Sequence, residues 1–394
     1  MESVFFLLIY ILETRTLKAE FIQEIFGSMS IYLLLTQGVA VCLVVYALIL
    51  RIEKVDKKCF YSLFFYVIVL LGCNFMANGI SQRCFSMVYP YLSMSSLFLI
   101  VSSNKTRFKK FISLLSSFYL CCLIIHFFDS YIKRGMESVP FIMGIENQVI
   151  LTFMLGLVYC SVNYILNGSL VKLRIYFVLL LLSTLNVFSV SGLFGVFVIF
   201  IVVLFPSVTK LIQSLSLFNL FVIYLIGALC FIVFSTLILE HSAISNFLES
   251  SFGKSSTLSG RTLIWPLVLI EIMKSPFIGH GFSMDENVFM LISQWSNKPV
   301  YLSAHNQILQ TLYNSGLLGL LAFCVFVFYC SRYMELCNNS KLDIIIKATF
   351  LGICVSILAE SPQLNHLIEL LIAVCAFVKI DRINYLNKQN KIYI

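Results

Sequence analysis

The residues that could do chemistry in this chain are few, and most lie in or next to one long polar segment, residues 239–303. The segment contains Arg261 and His280, and His305 follows it closely. A guanidinium group can bind a phosphate through two parallel hydrogen bonds, and an imidazole can exchange protons near neutral pH. Taken singly, simpler roles are favoured: a surface cation for Arg261, a loop residue for His280 and a structural or capping residue for His305. The other main ionisable groups of this region include Lys274, Asp285 and Glu286.

The composition requires these groups to be held by membrane helices. Hydrophobic residues make up 60% of the 394 residues and charged residues only 12%, against roughly a quarter charged in an ordinary soluble domain. A soluble fold would have too few polar side chains to cover its surface. The sequence therefore predicts an all-α polytopic membrane protein and excludes disordered, collagen-like and secreted disulfide-rich classes.

The apolar runs predict 11 or 12 membrane crossings. A helix that spans a bilayer needs about 20 mostly apolar residues. Two longer runs, 175–205 and 343–379, each predict a helical hairpin, with turns near 189–192 and 360–362. The short run Val4–Leu12 either extends into a further span or lies in the membrane interface. The single spans are predicted at 29–50, 60–77, 85–103, 111–128, 147–166, 217–238 and 308–330.

The distribution of basic residues predicts the orientation. Lys and Arg number 27 against 19 Asp and Glu, which gives a net charge of +8. In the predicted topology 17 of the basic residues fall in cytoplasmic segments and five in the opposite short loops. This bias follows the positive-inside rule and predicts that 239–303 lies on the outer face of the cytoplasmic membrane. It explains the basic excess without nucleic acid, so no nucleic-acid partner is predicted.

The 13 cysteines lie mostly in apolar runs, without a Cys-x-x-Cys pair. This spacing predicts neither a disulfide framework nor a zinc site, so we expect no metal ligands and no cofactor. The chain is predicted to divide into N-terminal membrane helices over 1–238, a large external loop over 239–303, and C-terminal membrane helices with a cytoplasmic tail over 304–394.

Two parts of the external segment predict local structure. Leu263–Met273 is an apolar run of 11 residues, too short to span a membrane. It predicts a helix lying on the membrane surface, with Trp265 at the level of the lipid headgroups. The following SPFIGHGF, residues 275–282, predicts a tight loop whose backbone amides can approach a ligand.

The order of these pieces resembles the O-antigen polymerase and ligase superfamily, which are bacterial membrane glycosyltransferases of lipid-linked polysaccharides. The close resemblance covers residues 259–319, and the rest of the chain agrees in hydropathy, span count and position of the external loop. The residues that carry it are Ser259-Gly260-Arg261 with Trp265, Ser275-Pro276, Gly279, Gly281, Ala304-His305-Asn306, Gly316 and Gly319.

The resemblance implies a GT-C-like fold and transfer of a glycan from an undecaprenyl-diphosphate-linked oligosaccharide to a sugar hydroxyl, without metal. It implies that His305 accepts the hydroxyl proton and that Arg261 binds the diphosphate. The partners it implies are membrane lipids, a flippase and a chain-length regulator. The substrate-binding residues it implies are Gly260, Trp265, Gly279, His280, Gly281 and Asn306.

A polymerase is favoured over a ligase by one departure from the family pattern. Ligases tend to keep an Arg beside a Ser or Thr in the hairpin ahead of the large loop, and residues 188–192 contain none. Transfer to lipid A-core by a ligase remains the nearest alternative. A flippase or transporter is the other alternative. Such a protein would be expected to contain internal repeats and charged residues near mid-span.

Overall fold

The computed structural model describes residues 2–14, 29–49, 54–79, 82–133, 146–187, 190–238, 261–282, 304–358 and 364–392. Within these ranges the regular secondary structure is entirely helical. The helices are α1 (Glu2–Thr14), α2 (Met29–Ile49), α3 (Lys54–Asn78), α4 (Gln82–Ser102), α5 (Lys105–Ile132), α6 (Glu146–Asn167), α7 (Leu170–Val187), α8 (Val190–Leu204), α9 (Pro206–Ser214), α10 (Leu217–Ile238), α11 (Arg261–Lys274), α12 (Gln307–Met334), α13 (Ser340–Ser356) and α14 (Leu364–Ile392).

Many of these helices are long and apolar enough to cross a membrane. In the described ranges seven meet that condition by length and composition, and the pair α8 and α9, bent by 97°, would make an eighth. The predicted class, an all-α polytopic membrane protein, is therefore confirmed. The count of 11 or 12 crossings also includes shorter helices and stays a prediction.

Both long apolar runs form two helices each. Helix α7 ends at Val187 and α8 begins at Val190, and α13 ends at Ser356 and α14 begins at Leu364. Helices α8 and α13 pack very closely at Gly195. A Cβ atom added there would lie only 2.5 Å from the carbonyl oxygen of Gly352. Small residues allow such approach between membrane helices. The Ser356 hydroxyl also donates to the carbonyl oxygen of Ser191 at 3.1 Å, so the two hairpins are held together near their turns.

Helix α1 packs one face into the bundle and leaves Val4, Phe5 and Leu8 exposed on the other. Its 13 residues measure about 20 Å, less than a hydrocarbon core of about 30 Å. Tyr10 is fully buried, and its hydroxyl contacts Tyr119, Tyr159 and Glu369 on three other helices. Both alternatives for Val4–Leu12, a longer span or an interfacial position, stay predictions, because the continuation past residue 14 lies outside the described residues.

Helix α12 contacts most of the helices around the candidate functional site. It packs against α3, α10, α11 and α14. Its axis is interrupted at Gly316, where φ is 59° and ψ is −162°. This interruption lies beside the loop that follows α11.

Candidate functional site

The chain makes a strained corner immediately before α12. His305 has a φ of 47°, and among the described residues it alone combines a positive φ with a side chain. This left-handed conformation is uncommon for any residue but glycine, although Asn, Asp and His adopt it more often than the others. Residues held in such conformations cluster at functional sites. The His305 side chain is only partly buried.

Asn306 holds the corner on its C-terminal side. Its side-chain oxygen accepts hydrogen bonds from the amides of Ile308 at 3.0 Å and Leu309 at 3.1 Å, which caps α12. Its side-chain nitrogen donates to the carbonyl oxygen of Leu358, at the end of α13, at 2.8 Å. Because the residue is fully buried and both ends of its amide are engaged, Asn306 fixes the backbone next to His305.

Ala304 holds the corner on the other side. Its amide donates to the side-chain oxygen of Gln310 at 2.8 Å, and its carbonyl accepts from the indole nitrogen of Trp265 at 3.0 Å. Trp265 is fully buried, in contact with a cluster that includes Ile232 and Tyr313. The Trp265 ring therefore packs inside the protein, and its predicted level with the lipid headgroups stays a prediction.

Helix α11 brings Arg261 towards the same corner. The helix begins at Arg261, which lies about 6 Å along the axis before Trp265, and positions four apart share one helix face. The predicted helix over 263–273 is thus present, although it packs against α10 and α12. The first turn of a helix attracts anions through its exposed amides. The Arg261 side chain and all of Gly260 lie outside the described residues.

The loop over 275–282 fills the break in α12. In an unbroken helix the amides of Leu317 and Leu318 would donate to the carbonyls four residues earlier. Here they donate to the carbonyls of Pro276 at 2.8 Å and Phe277 at 3.0 Å. A Cβ atom at Gly316 would lie 2.3 Å from the carbonyl carbon of Phe277, so only glycine lets the loop come this close.

The carbonyl groups on the other side of the break are satisfied by the same loop. Those of Tyr313 and Asn314 accept from the amides of His280 at 2.7 Å and Gly281 at 2.9 Å. The loop therefore replaces two helical hydrogen bonds with four of its own. This exchange fixes the loop to α12 through backbone groups.

The loop residues predicted to bind substrate are thus engaged within the chain. The amide of Gly279 donates to the carbonyl of Ser275 at 3.0 Å. The His280 ring stacks on Tyr313 with 4.9 Å between centroids, and its Nε2 lies 2.8 Å from the carbonyl oxygen of Glu271. Gly279 and Gly281 both have positive φ, 69° and 77°. The amides predicted to approach a ligand are therefore used inside the protein.

The family comparison matches this region. A family model described as O-Antigen ligase matches residues 175–324, a range that contains α11, the loop, the His305 corner and the break in α12. The resemblance to the O-antigen polymerase and ligase superfamily is therefore confirmed over this part of the chain. The match supports an enzyme of polysaccharide biosynthesis in a multi-pass membrane protein.

A curated relative of the superfamily agrees in name. A Rickettsia felis protein named "Putative polysaccharide ligase" is 28% identical over 99 residues. The alignment covers 24% of this chain and 24% of the relative. The chain therefore matches about a quarter of the length of the relative.

Several residues that build this candidate site carry no local sequence signal. Gln310 reaches the amide of Ala304, and Asn74 and Asn78 at the end of α3 hold the loop. The Asn74 side-chain oxygen accepts from the amide of Phe282 at 2.9 Å, and the Asn78 side chain donates to the carbonyl of His280 at 2.6 Å. Asn74 and Asn78 lie more than 200 residues before the loop, so no local pattern indicates these contacts. Within the described residues, no group of three metal-ligand side chains includes His305.

Proposed function

We propose that the protein is a polymerase of O-antigen or a related surface polysaccharide. It transfers the growing glycan from undecaprenyl diphosphate to a hydroxyl group of the next lipid-linked repeat unit. The observation that supports this most is the His305 corner, where an imidazole is held in a strained conformation between two anchored residues beside the start of α11. The O-Antigen ligase match supports the chemistry.

In the proposed reaction His305 acts as the general base. A sugar hydroxyl of the acceptor attacks the anomeric carbon of the donor sugar, and its proton passes to the imidazole. The bond between that carbon and the diphosphate oxygen breaks, and undecaprenyl diphosphate leaves with the electron pair. A base in this position contributes about 10²–10⁴-fold to the rate.

Arg261 stabilises the leaving group in the same step. The guanidinium binds the diphosphate through paired hydrogen bonds, and the amides in the first turn of α11 add a favourable field. Charge develops on the diphosphate as the bond breaks, so this contribution is greatest in the transition state. No step needs a metal ion or a cofactor, because the leaving diphosphate already makes the donor reactive.

The anchored neighbours of His305 keep the imidazole where the acceptor arrives. Trp265 reaches Ala304 from α11, and Asn306 reaches Leu358 from α12. Helices α11, α12 and α13 therefore meet next to His305. We assign Trp265 and Asn306 as positioning residues, together with the loop over 279–281.

Reconstitution tests this function. The purified chain in liposomes is supplied with an undecaprenyl-diphosphate-linked repeat unit. The proposal expects ladders of extended glycan and one undecaprenyl diphosphate released for each linkage formed. If the donor stays unextended under these conditions and glycan is transferred only to added lipid A-core, the protein is a ligase and not a polymerase.

The ligase is the second candidate because the matching family and the curated relative are both described as ligases. A deletion strain separates the two functions by what accumulates. Single repeat units attached to lipid A-core indicate loss of a polymerase. Long glycans that remain on the lipid carrier indicate loss of a ligase.

We further propose that the site faces the periplasm from the inner membrane. The excess of basic residues in the opposite segments supports this orientation. A flippase that delivers the lipid-linked units and a regulator of chain length are the expected partners. Labelling with membrane-impermeant thiol reagents tests the orientation: a cysteine in place of Met273 at the end of α11 should react in intact cells with a permeable outer membrane.

A further inference from the structure

Three cysteine side chains meet inside the helical bundle, away from the His305 corner. Cys59 lies on α3, Cys330 on α12 and Cys375 on α14, and their sulfur atoms all lie within 4.8 Å of one another. Cys59 and Cys330 are buried and Cys375 is partly buried. None of the three forms a disulfide. Three separate helices thus bring one soft ligand atom each to a single point.

The spacing of the sulfur atoms fits a bound metal ion. A metal ion with metal–sulfur distances of about 2.3 Å holds three sulfurs in one plane about 4.0 Å apart. The Sγ atoms of Cys330 and Cys375 are 4.0 Å apart. The third sulfur, that of Cys59, lies within 4.8 Å of both, and its thiol also contacts the carbonyl oxygen of Tyr329 at 3.4 Å. Thiolates select soft ions such as Zn²⁺ and Cu⁺.

A small cavity gives the thiols room for a further ligand. It measures about 20 Å³ and is lined by Cys59, Cys375, Ser95 and Lys379. A cavity of about 10–15 Å³ or more holds one water molecule when polar partners are available. The cavity therefore has room for a water molecule that completes a four-coordinate site, and Lys379 is among its lining residues.

The charges also balance for a divalent ion. Binding of Zn²⁺ to three thiols releases three protons and leaves a complex of charge −1. Lys379, which lines the same cavity, carries a charge of the opposite sign. Compensation matters because an isolated charge in the membrane interior is costly.

We propose that Cys59, Cys330 and Cys375 form a binding site for a soft metal ion that fastens α3, α12 and α14 together. The site lies about 37 Å along α12 from His305, at the opposite end of the helix. It is independent of the proposed catalytic step. The positions are far apart in the sequence, so the cysteine spacing could not indicate the site.

Cd²⁺ is the direct probe, since it binds thiolates and gives a charge-transfer absorption in the ultraviolet. Purified full-length protein in detergent, freed of metal with a chelator and kept reduced, is titrated with Cd²⁺, Zn²⁺ and Cu⁺ in separate arms. We expect one Cd²⁺ per chain with thiolate absorption, a higher melting temperature in its presence, and competition by whichever of Zn²⁺ or Cu⁺ the site prefers.

Matched serine variants identify the ligands. Cys330→Ser and Cys375→Ser should each weaken Cd²⁺ binding by at least the roughly 10–100-fold that loss of a supporting group costs a metal site. Cys354→Ser is the control, because Cys354 is a buried cysteine on α13 outside the group, and it should bind as the original chain does. Protection of the three thiols from maleimide by bound metal gives a second readout on unmutated protein.

Two results would overturn the proposal. One is an unmutated chain that binds no stoichiometric Cd²⁺ and shows no protection of the three thiols. The other is equal weakening by Cys330→Ser and Cys354→Ser. Polymer formation, measured in parallel, distinguishes a failure here from a failure of the proposed function, because the two sites are at opposite ends of α12.

Discussion

The indole nitrogen of Trp265 donates a hydrogen bond to the carbonyl oxygen of Ala304 at 3.0 Å. Trp265 lies within the polar segment 239–303 and Ala304 directly follows that segment, so the contact joins α11 to the corner that carries His305. It brings together two parts of the superfamily pattern that are far apart in the chain. The arrangement around the proposed catalytic residues depends on this contact.

Replacing Trp265 by Phe tests the contact. The ring would still fill most of the pocket, but the Ala304 carbonyl would lose its donor. We expect the purified variant to be destabilised by about 1–3 kcal/mol, with polymer formation slowed. A melting temperature and rate equal to those of the unmutated chain would show that the hydrogen bond does not position the corner.

The conformation of His305 allows its chemical and structural roles to be separated. His305→Gly removes the imidazole and suits a φ of 47°, so the protein should keep its melting temperature while polymer formation is lost. His305→Val should lose both, because a β-branched residue is strongly disfavoured at positive φ. The measurements are thermal unfolding in detergent and polymer ladders from membranes. Activity in the Gly variant would contradict the role of the imidazole.

Gly316 tests the exchange of hydrogen bonds between the loop and α12. Gly316→Ala should displace the loop, since the added Cβ would lie 2.3 Å from the carbonyl carbon of Phe277. Backbone strain alone costs about 1–3 kcal/mol. Gly227→Ala in α10 is the control: nothing lies within 4 Å of its added Cβ, so stability should be unchanged or higher. Thermal unfolding compares the two, and equal melting temperatures would contradict the account.

Arg261 tests the geometry of diphosphate binding. Arg261→Ala should reduce the rate by roughly 10²–10³-fold. Arg261→Lys should recover only part of this loss, because an ammonium group keeps the charge but not the paired hydrogen bonds. Lys274→Ala, at the far end of the same helix, is the control; Lys274 is exposed and pairs with Glu271. Full activity in Arg261→Lys would show that charge alone is sufficient.

Local sequence patterns predict much of this fold and part of this site. Hydropathy predicts the two hairpins, because each apolar run is longer than the membrane is thick. Comparing these two lengths requires no knowledge of tertiary contacts. It also predicts a helix after Gly260. The position of Trp265 is not predictable in this way, because a Trp suits a headgroup belt and a buried contact equally, and only the packing of α11 against α10 and α12 shows the buried contact.

The loop over 275–282 shows the same limit. Its glycines predict a tight turn, and Gly279 and Gly281 do have positive φ. Which groups bond to the loop amides depends on the break at Gly316, which lies more than 30 residues later. The three clustered thiols are a further case, because they come from helices distant in sequence.

The proposed mechanism requires His305 and Arg261 to act together on a lipid-linked diphosphate. Its most direct test is the initial rate of glycan extension by reconstituted, correctly folded His305→Ala and Arg261→Ala, with Lys274→Ala as control. The account predicts that both variants lose extension and release of undecaprenyl diphosphate, while the control keeps them. Extension at the unmutated rate by either variant would contradict it.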